Sequence, residues 1–373
     1  MESTGSRSSS MVDGRSLEMF ELAVESSTRS YSITIGSGAI EKLKGRDFII
    51  IADSNLSHVA RQLGSKVITL TASEEAKTLP TCESVISQLK ELGANRDTAI
   101  LAIGGGYIQD IATLVSALYM RGISWIYLPT TLMSMMDSCI GGKSSINVGS
   151  AKNLIGNFYP PEEIIIDPSL IATLDEAAIA SGLSEGVKIC YAKGPAAFEK
   201  FCTYRSSVEN YDSALSAEWI AHVLNAKKWF VETDEFDQGP RKLLNFGHTF
   251  GHALESATNF AIPHGVAINI GVLAALAHPL SHQGTLEAKL AKECLSILAP
   301  VSAQLKKDTE SFDVKKFERA FLGDKKHSSQ MLRLILSQQG ILRIVEVERN
   351  DGEIAVVVEA MLKALEMLNM GPK

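Results

Sequence analysis

The pattern of apolar and polar positions changes character near residue 170. Before that point, short runs dense in β-branched and aliphatic residues recur: YSITIG, DFIIIAD, KVITL, TAILAIGGG, SWIYLP and EEIIID. Between them lie stretches such as TCESVISQLKELG, whose apolar residues recur at helical spacing. This alternation predicts βαβ units, and hence a mostly parallel sheet with helices on both faces. From about residue 171 the strand signal fades and an Ala/Leu-rich helical period takes over, with LRLILS as a short exception. The expected division falls at Thr173. It gives an α/β domain over residues 17–173 and a mainly α-helical domain over 174–373. The opening MESTGSRSSS is rich in serine and has no apolar core, so residues 1–16 are expected to be a disordered tail.

Composition narrows the class without naming a chemistry. A chain of 373 residues with 45% hydrophobic and 21% charged content has the makeup of a globular protein with room for two cores. The formal net charge of −7 argues against nucleic acid or an anionic membrane as partner. Any anion bound must therefore be met by a local group of cations. Five cysteines, odd in number and without CxxC spacing, predict reduced thiols and a cytoplasmic setting. No apolar run approaches the roughly 18 residues needed to span a bilayer.

Three segments carry candidate chemistry. In AILAIGGGYIQD the glycines Gly104, Gly105 and Gly106 follow a strand and open a helix, where backbone can approach a pyrophosphate closely. The turn lacks the third spaced glycine of GxGxxG and could equally be a tight turn. Asp53 and Asn55, at the end of an earlier strand, stand where an acid often meets an adenosine ribose. The other reading of Asp53 is a loop acid that caps a helix. Glu74 and Lys77 follow a later strand. The second segment, MMDSCIGGKSSINVGSAKNLIGNFYPP, sets Asp137, Lys143, Asn147, Lys152 and Asn153 among glycines and serines, as an anion clamp would need.

The third segment is RKLLNFGHTFGHALE. On one helix at about 100° per residue, Arg241, Asn245, His248 and His252 would share a stripe. Buried polar groups need partners, and a row of this kind makes sense if one imidazole holds a metal while the others face an anionic ligand. Glu185 and Lys188 of LSEGVK lie three apart, and His264 sits in IPHGVA. A Glu/His/His set leaves open positions, as catalytic zinc does. Spacing alone does not choose between His248 and His252.

Taken together, GGGYIQD, YMRG, LPTTL, DSCIGGKSSIN, AKNLIG, LSEGVK, DEFDQGPRKLLNFGHTFGHALE and GDKK make the chain resemble the 3-dehydroquinate synthase family of sugar-phosphate cyclases, from about residue 30 to Lys326. The resemblance implies a Rossmann-like NAD domain followed by a helical metal- and substrate-binding domain. It implies metal ligands Glu185, His248 and His264 holding one divalent ion, zinc first and cobalt as the alternative. The NAD side would comprise Asp53, Asn55, Glu74, Lys77, Gly104, Gly105, Gly106, Asp110, Thr130, Thr131, Asp137 and Lys152. Lys143, Asn153, Lys188, Lys227, Arg241, Asn245, His252 and Lys326 (or its neighbour Lys325) would hold a sugar acid phosphate. Arg121 of YMRG would reach the neighbouring subunit's site in a homodimer.

The implied reaction is a lyase reaction. It converts 3-deoxy-D-arabino-heptulosonate 7-phosphate to 3-dehydroquinate by transient oxidation, phosphate elimination, re-reduction and aldol closure. Two other readings are open. One is a sibling cyclase making amino-dehydroquinate, 2-epi-5-epi-valiolone or 2-deoxy-scyllo-inosose; the other is a non-catalytic NAD-binding relative. Four places depart from the family pattern. Gln109 stands for glycine, Ser144-Ser145 for Thr-Gly, Asp237 for glutamate, and Val266 for the acid of HGEA. The last would remove an acid that could orient the metal-bound histidine.

Overall fold

The computed structural model describes residues 6–12, 15–149, 151–206 and 217–370. The chain packs as two compact units, one of Met1–Thr173 with Asn210–Phe236, the other of Leu174–Glu209 with Asp237–Lys373.

The first unit contains β1 (Ser6–Val12), β2 (Arg15–Val24), β3 (Tyr31–Ile35), β4 (Ile49–Asp53), α1 (Ser57–Leu63), β5 (Val67–Leu70), α2 (Leu79–Glu91), β6 (Ala99–Gly104), α3 (Gly106–Leu118), β7 (Ser124–Pro129), β8 (Lys143–Val148), β9 (Ala151–Phe158) and β10 (Glu163–Ile166). One sheet runs β1-β2-β3-β10-β7-β6-β4-β5. From β3 to β5 every neighbouring pair is parallel. All six runs read as strands are these six. They read as near-continuous apolar stretches because both faces are covered: Ile49 to Ala52, Ile100 to Ile103 and Trp125 to Leu128 are buried without a break. Strand β2 pairs antiparallel with β3, and β1 with β2. The tail expected over 1–16 is thus strand over 6–12 and from 15 onward, and residues 1–5, 13 and 14 lie outside the described residues. Backbone pairing with β2 makes this strand, so no apolar pattern announces it.

The second unit holds α4 (Glu176–Lys193) and α5 (Pro195–Ser206). The next helix, α6 (Ala217–Thr233), lies in the segment that belongs to the first unit, where it packs on β2 and β3. A helical domain unbroken from residue 174 is therefore not what forms. The second unit continues with α7 (His248–Ala257), α8 (His264–Ala277), α9 (Thr285–Leu298), α10 (Ser302–Thr309), α11 (Val314–Leu322), the hairpin β11 (Met331–Gln338) and β12 (Ile341–Glu348), and α12 (Asp351–Met370). LRLILS lies in β11. Helix α8 is apolar on all sides and buried from Gly265 to Leu276, with α4, α7, α9 and α12 around it. Among the described residues no helix is long and apolar enough to cross a membrane.

Candidate functional site

Two groups of polar side chains stand out, one in each unit. In the first, the glycine turn joins β6 to α3. A Cβ on Gly104 would lie 2.5 Å from Ile108, and one on Gly105 would lie 2.9 Å from Thr131, so both positions need glycine. A Cβ on Gly106 would meet nothing within 4 Å, which leaves open space at the N-terminus of α3. Thr130 donates its N–H to the Gly104 carbonyl at 3.1 Å, and Thr131 donates its hydroxyl to Ser134 at 2.9 Å. Asp53 accepts from the N–H of Asn55 at 3.0 Å, the capping role that was the alternative to ribose binding.

In the same unit, Lys77 is buried and points three donors at three acceptors. They are Asn153 Oδ1 at 2.8 Å, Asp110 at 3.1 Å and Glu74 at 3.4 Å. Asp110 also accepts from the N–H of Ser145 at 3.0 Å. Asn147 donates to Glu74 Oε1 at 2.9 Å and accepts from the N–H of Asn153 at 2.9 Å. The segment expected to act as an anion clamp forms the hairpin β8–β9, tied by these bonds to the residues after β5. Burial pushes the Asp110 carboxyl up to about 6, against the lowering pull of Lys77 and the Ser145 N–H.

Lys143 opens β8 with its ammonium 5.9 Å from the centroid of the Phe158 ring, and Lys152 is exposed on β9. Lys227, on α6, forms an ion pair of 2.8 Å with Asp137 and also donates to the Asp137 carbonyl. Gln109, where the family pattern has glycine, is buried. It donates to the Ser138 carbonyl at 2.7 Å and accepts from the Ser138 hydroxyl at 2.6 Å. Arg121 is exposed, in a short 3-10 segment where it and Met120 both have positive φ, 69° and 49°.

In the second unit the single helical stripe does not form. Arg241 and Asn245 belong to a 3-10 turn, Pro240–Asn245, and Gly247 at φ 78° separates it from α7. That left-handed residue resets the helical phase, so only His248 and His252 share a helix. Arg241 is buried, and Asn245 donates to the Lys242 carbonyl at 3.1 Å.

Glu185 on α4, His248 on α7 and His264 at the start of α8 come together. Glu185 is 1% exposed and pairs with Lys188, itself 2% exposed, through Oε2. Its other oxygen, Oε1, has no hydrogen-bond partner and lies 3.9 Å from both His248 Nε2 and His264 Nε2. The ligand atoms of His248, His252 and His264 lie within 4.8 Å of one another. Zinc bonds of about 2.0–2.2 Å place tetrahedral ligand atoms roughly 3.4 Å apart, so small adjustments would close this group on one ion. An orphaned buried carboxylate oxygen facing two imidazoles is what a cation would satisfy.

Burial, with Lys188 next, holds His248 well below its ordinary value. His252 reaches solvent, yet desolvation by its neighbours, with His264 next, lowers it to about 4. Neutral imidazoles are the form that binds metal. Burial also pulls on His264, but Glu255, with Oε2 3.3 Å from its Nδ1, more than offsets this and raises it. Lys326 pairs with Asp324 and is felt by His248 and His252, whereas Lys325 is exposed.

Glu255, Ser145 and Gln109 were absent from the expected site. Glu255 was legible only as the acid seven residues after His248, one helical repeat along the same face.

Residues 67–181 match the family model described as 3-dehydroquinate synthase N-terminal, and residues 182–327 match the one described as 3-dehydroquinate synthase C-terminal. The 3-dehydroquinate synthase of Xylella fastidiosa (strain 9a5c) is 36% identical over 273 residues, covering 66% of this chain and 69% of that protein. That of Clostridium botulinum (strain Alaska E43 / Type E3) is 32% identical over 352 residues, covering 88% and 99%. Among solved structures, 2-deoxy-scyllo-inosose synthase complexed with carbaglucose-6-phosphate, NAD+ and Co2+ superposes with a TM-score of 0.77 at 22% identity, covering 92% of this chain and 99% of that one. A 2-epi-5-epi-valiolone synthase from Streptomyces hygroscopicus subsp. jinggangensis 5008, with NAD+ and Zn2+ bound, gives 0.74 at 24% identity, covering 93% and 99%. At these identities the two structures establish the fold. The two family models and the curated relatives establish more: the chain belongs to the 3-dehydroquinate synthase family.

Proposed function

We propose that the chain converts 3-deoxy-D-arabino-heptulosonate 7-phosphate to 3-dehydroquinate and inorganic phosphate. The observation that carries the metal-dependent part is Glu185 Oε1, buried, unpartnered and 3.9 Å from two imidazoles. Glu185, His248 and His264 would hold a divalent ion, and the glycine turn with Asp53, Glu74, Lys77 and Asp110 would hold NAD. When bound, NAD accepts and returns a hydride, and the ion polarises the hydroxyl being oxidised. The chain's own residues bind and orient. Lysine and arginine side chains (Lys143, Lys188, Lys227, Arg241, Lys326) hold the phosphate and the carboxylate and stabilise the charge on departing phosphate. His252, whose lowered value favours the neutral imidazole, would move a proton at the substrate. The net reaction is that of a lyase, since the hydride returns within each turnover. The assembly is a homodimer in which Arg121 completes the partner's site.

The test is a panel of sugar phosphates offered to the purified protein. Phosphate should be released from the heptulosonate phosphate only with NAD+ and metal present, with no lasting NADH absorbance. Sedoheptulose 7-phosphate and glucose 6-phosphate, which lack the carboxylate, should be poor substrates. Faster turnover of sedoheptulose 7-phosphate than of the acid would replace this reading with a sibling cyclase.

A further inference from the structure

We propose that Ser145 is a positioning residue. Its hydroxyl, together with the Lys77 ammonium, locks the Asn153 amide so that Nδ2 is presented to an oxygen of the bound sugar acid phosphate. The inference rests on the substrate reading above.

The orientation of the amide follows from donor chemistry. An ammonium only donates, so the Asn153 atom 2.8 Å from Lys77 Nζ must be the carbonyl oxygen. The Ser145 hydroxyl lies 2.8 Å from the same oxygen and therefore donates to it. Lys77 has its other two contacts on Asp110 and Glu74, and so cannot swing away to follow a rotating amide. Ser145 is itself held at its N–H by Asp110 at 3.0 Å. The Asn153 backbone is left-handed, at φ 52°, and its N–H donates to Asn147 Oδ1 at 2.9 Å.

A non-glycine residue in that conformation persists when its surroundings over-determine it, and such residues gather at functional sites. Here three hydrogen bonds converge on one exposed residue, and among the described residues none uses its Nδ2. Preorganising a donor removes the cost of ordering it when the ligand arrives. At position 145 the family pattern has glycine, which would leave the amide on Lys77 alone.

The experiment compares Ser145→Ala, Ser145→Gly and Ser145→Thr with the wild-type chain, with NAD+ and zinc present. It reads KM for the heptulosonate phosphate, KM for NAD+, and the 15N side-chain amide resonance of Asn153, assigned by its loss in Asn153→Ala. Loss of one hydrogen bond should raise KM for the sugar acid roughly two- to tenfold in the Ala and Gly variants, with KM for NAD+ unchanged. The Asn153 resonance should move in both, and the threonine variant should restore both readouts. An alanine variant with unchanged KM for the sugar acid, or one that raises both KM values alike, overturns the role. If the wild-type chain releases no phosphate from this substrate, the functional reading falls. The resonance then still decides the contact: movement in Ser145→Ala supports it and an unmoved resonance overturns it.

Discussion

Val266 shows how a departure in sequence can be read wrongly one residue at a time. Where the family pattern has an acid, this side chain is 1% exposed inside α8. The acid beside the proposed metal-site histidine is supplied from α7 instead, by Glu255 on His264 Nδ1. Glu255→Gln keeps the shape and removes the charge. It should weaken metal binding by about 10–100-fold, read by competition with a chelator. Val266→Glu should not restore the family pattern: it buries a carboxylate and should lower the melting temperature. A Val266→Glu variant that binds metal more tightly at unchanged stability would refute this assignment. Asp110 gives a second test at this scale. Burial raises its carboxyl from 3.8 to about 6, so between those values the folded chain holds a proton that the unfolded chain has released. That contribution to stability is present below the unfolded value and is lost as pH rises through the folded one. Asp110→Asn removes the titration. The stability of the variant relative to wild type should therefore climb from about pH 4 to about pH 6.5, by on the order of 2 kcal/mol. Parallel profiles across that window would exclude Asp110 as the titrating group.

At the level of elements, glycine contacts bring the proposed metal-site residues together. A Cβ on Gly265 would lie 2.4 Å from the Ser181 carbonyl of α4, and one on Gly271 would lie 2.1 Å from the Gly247 carbonyl just before α7. Helix α8 thus meets α4 and the start of α7 backbone to backbone, the helices that carry Glu185 and His248. Gly271→Ala must push α7 off α8. It should cost about 1–3 kcal/mol of stability and weaken metal binding together, measured by thermal melting and metal titration. Retention of full metal affinity would mean that the α7–α8 spacing does not set the ligand geometry. These contacts also explain what the sequence hid. Leu243, Leu244, Phe246 and Phe250 keep an apolar rhythm across Gly247, so the pattern does not register a residue at φ 78°. Hairpin β8–β9 escaped because β9 is exposed from Ala151 to Gly156 and has no apolar face to alternate. Helix α6 was legible as a helix, but periodicity says nothing about which unit it packs on. The six parallel strands were legible because burial on both faces writes itself as an unbroken apolar run.

For the whole molecule, a net charge of −7 and an anionic substrate agree only if cations are gathered locally, and one proposed member of that group, Arg121, would come from a second copy of the chain. The local structure supports this use of it. Two consecutive non-glycine residues, Met120 and Arg121, are left-handed, and each such residue costs roughly 1 kcal/mol or more. The strained turn carries the arginine beside Leu118 and Met120, which are 54% and 43% exposed. An isologous interface would cover those apolar side chains and put the guanidinium on the partner. Arg121→Ala and Lys188→Ala, each expected to be inactive alone, would then damage different halves of a shared site. When mixed one to one with subunit exchange, half of the dimers carry both variants, and each of these has one intact site of two. Phosphate release should recover to roughly a quarter of the wild-type level. Native mass spectrometry would establish that exchange had taken place. Exchange without any recovery would place Arg121 in its own subunit's site or in none.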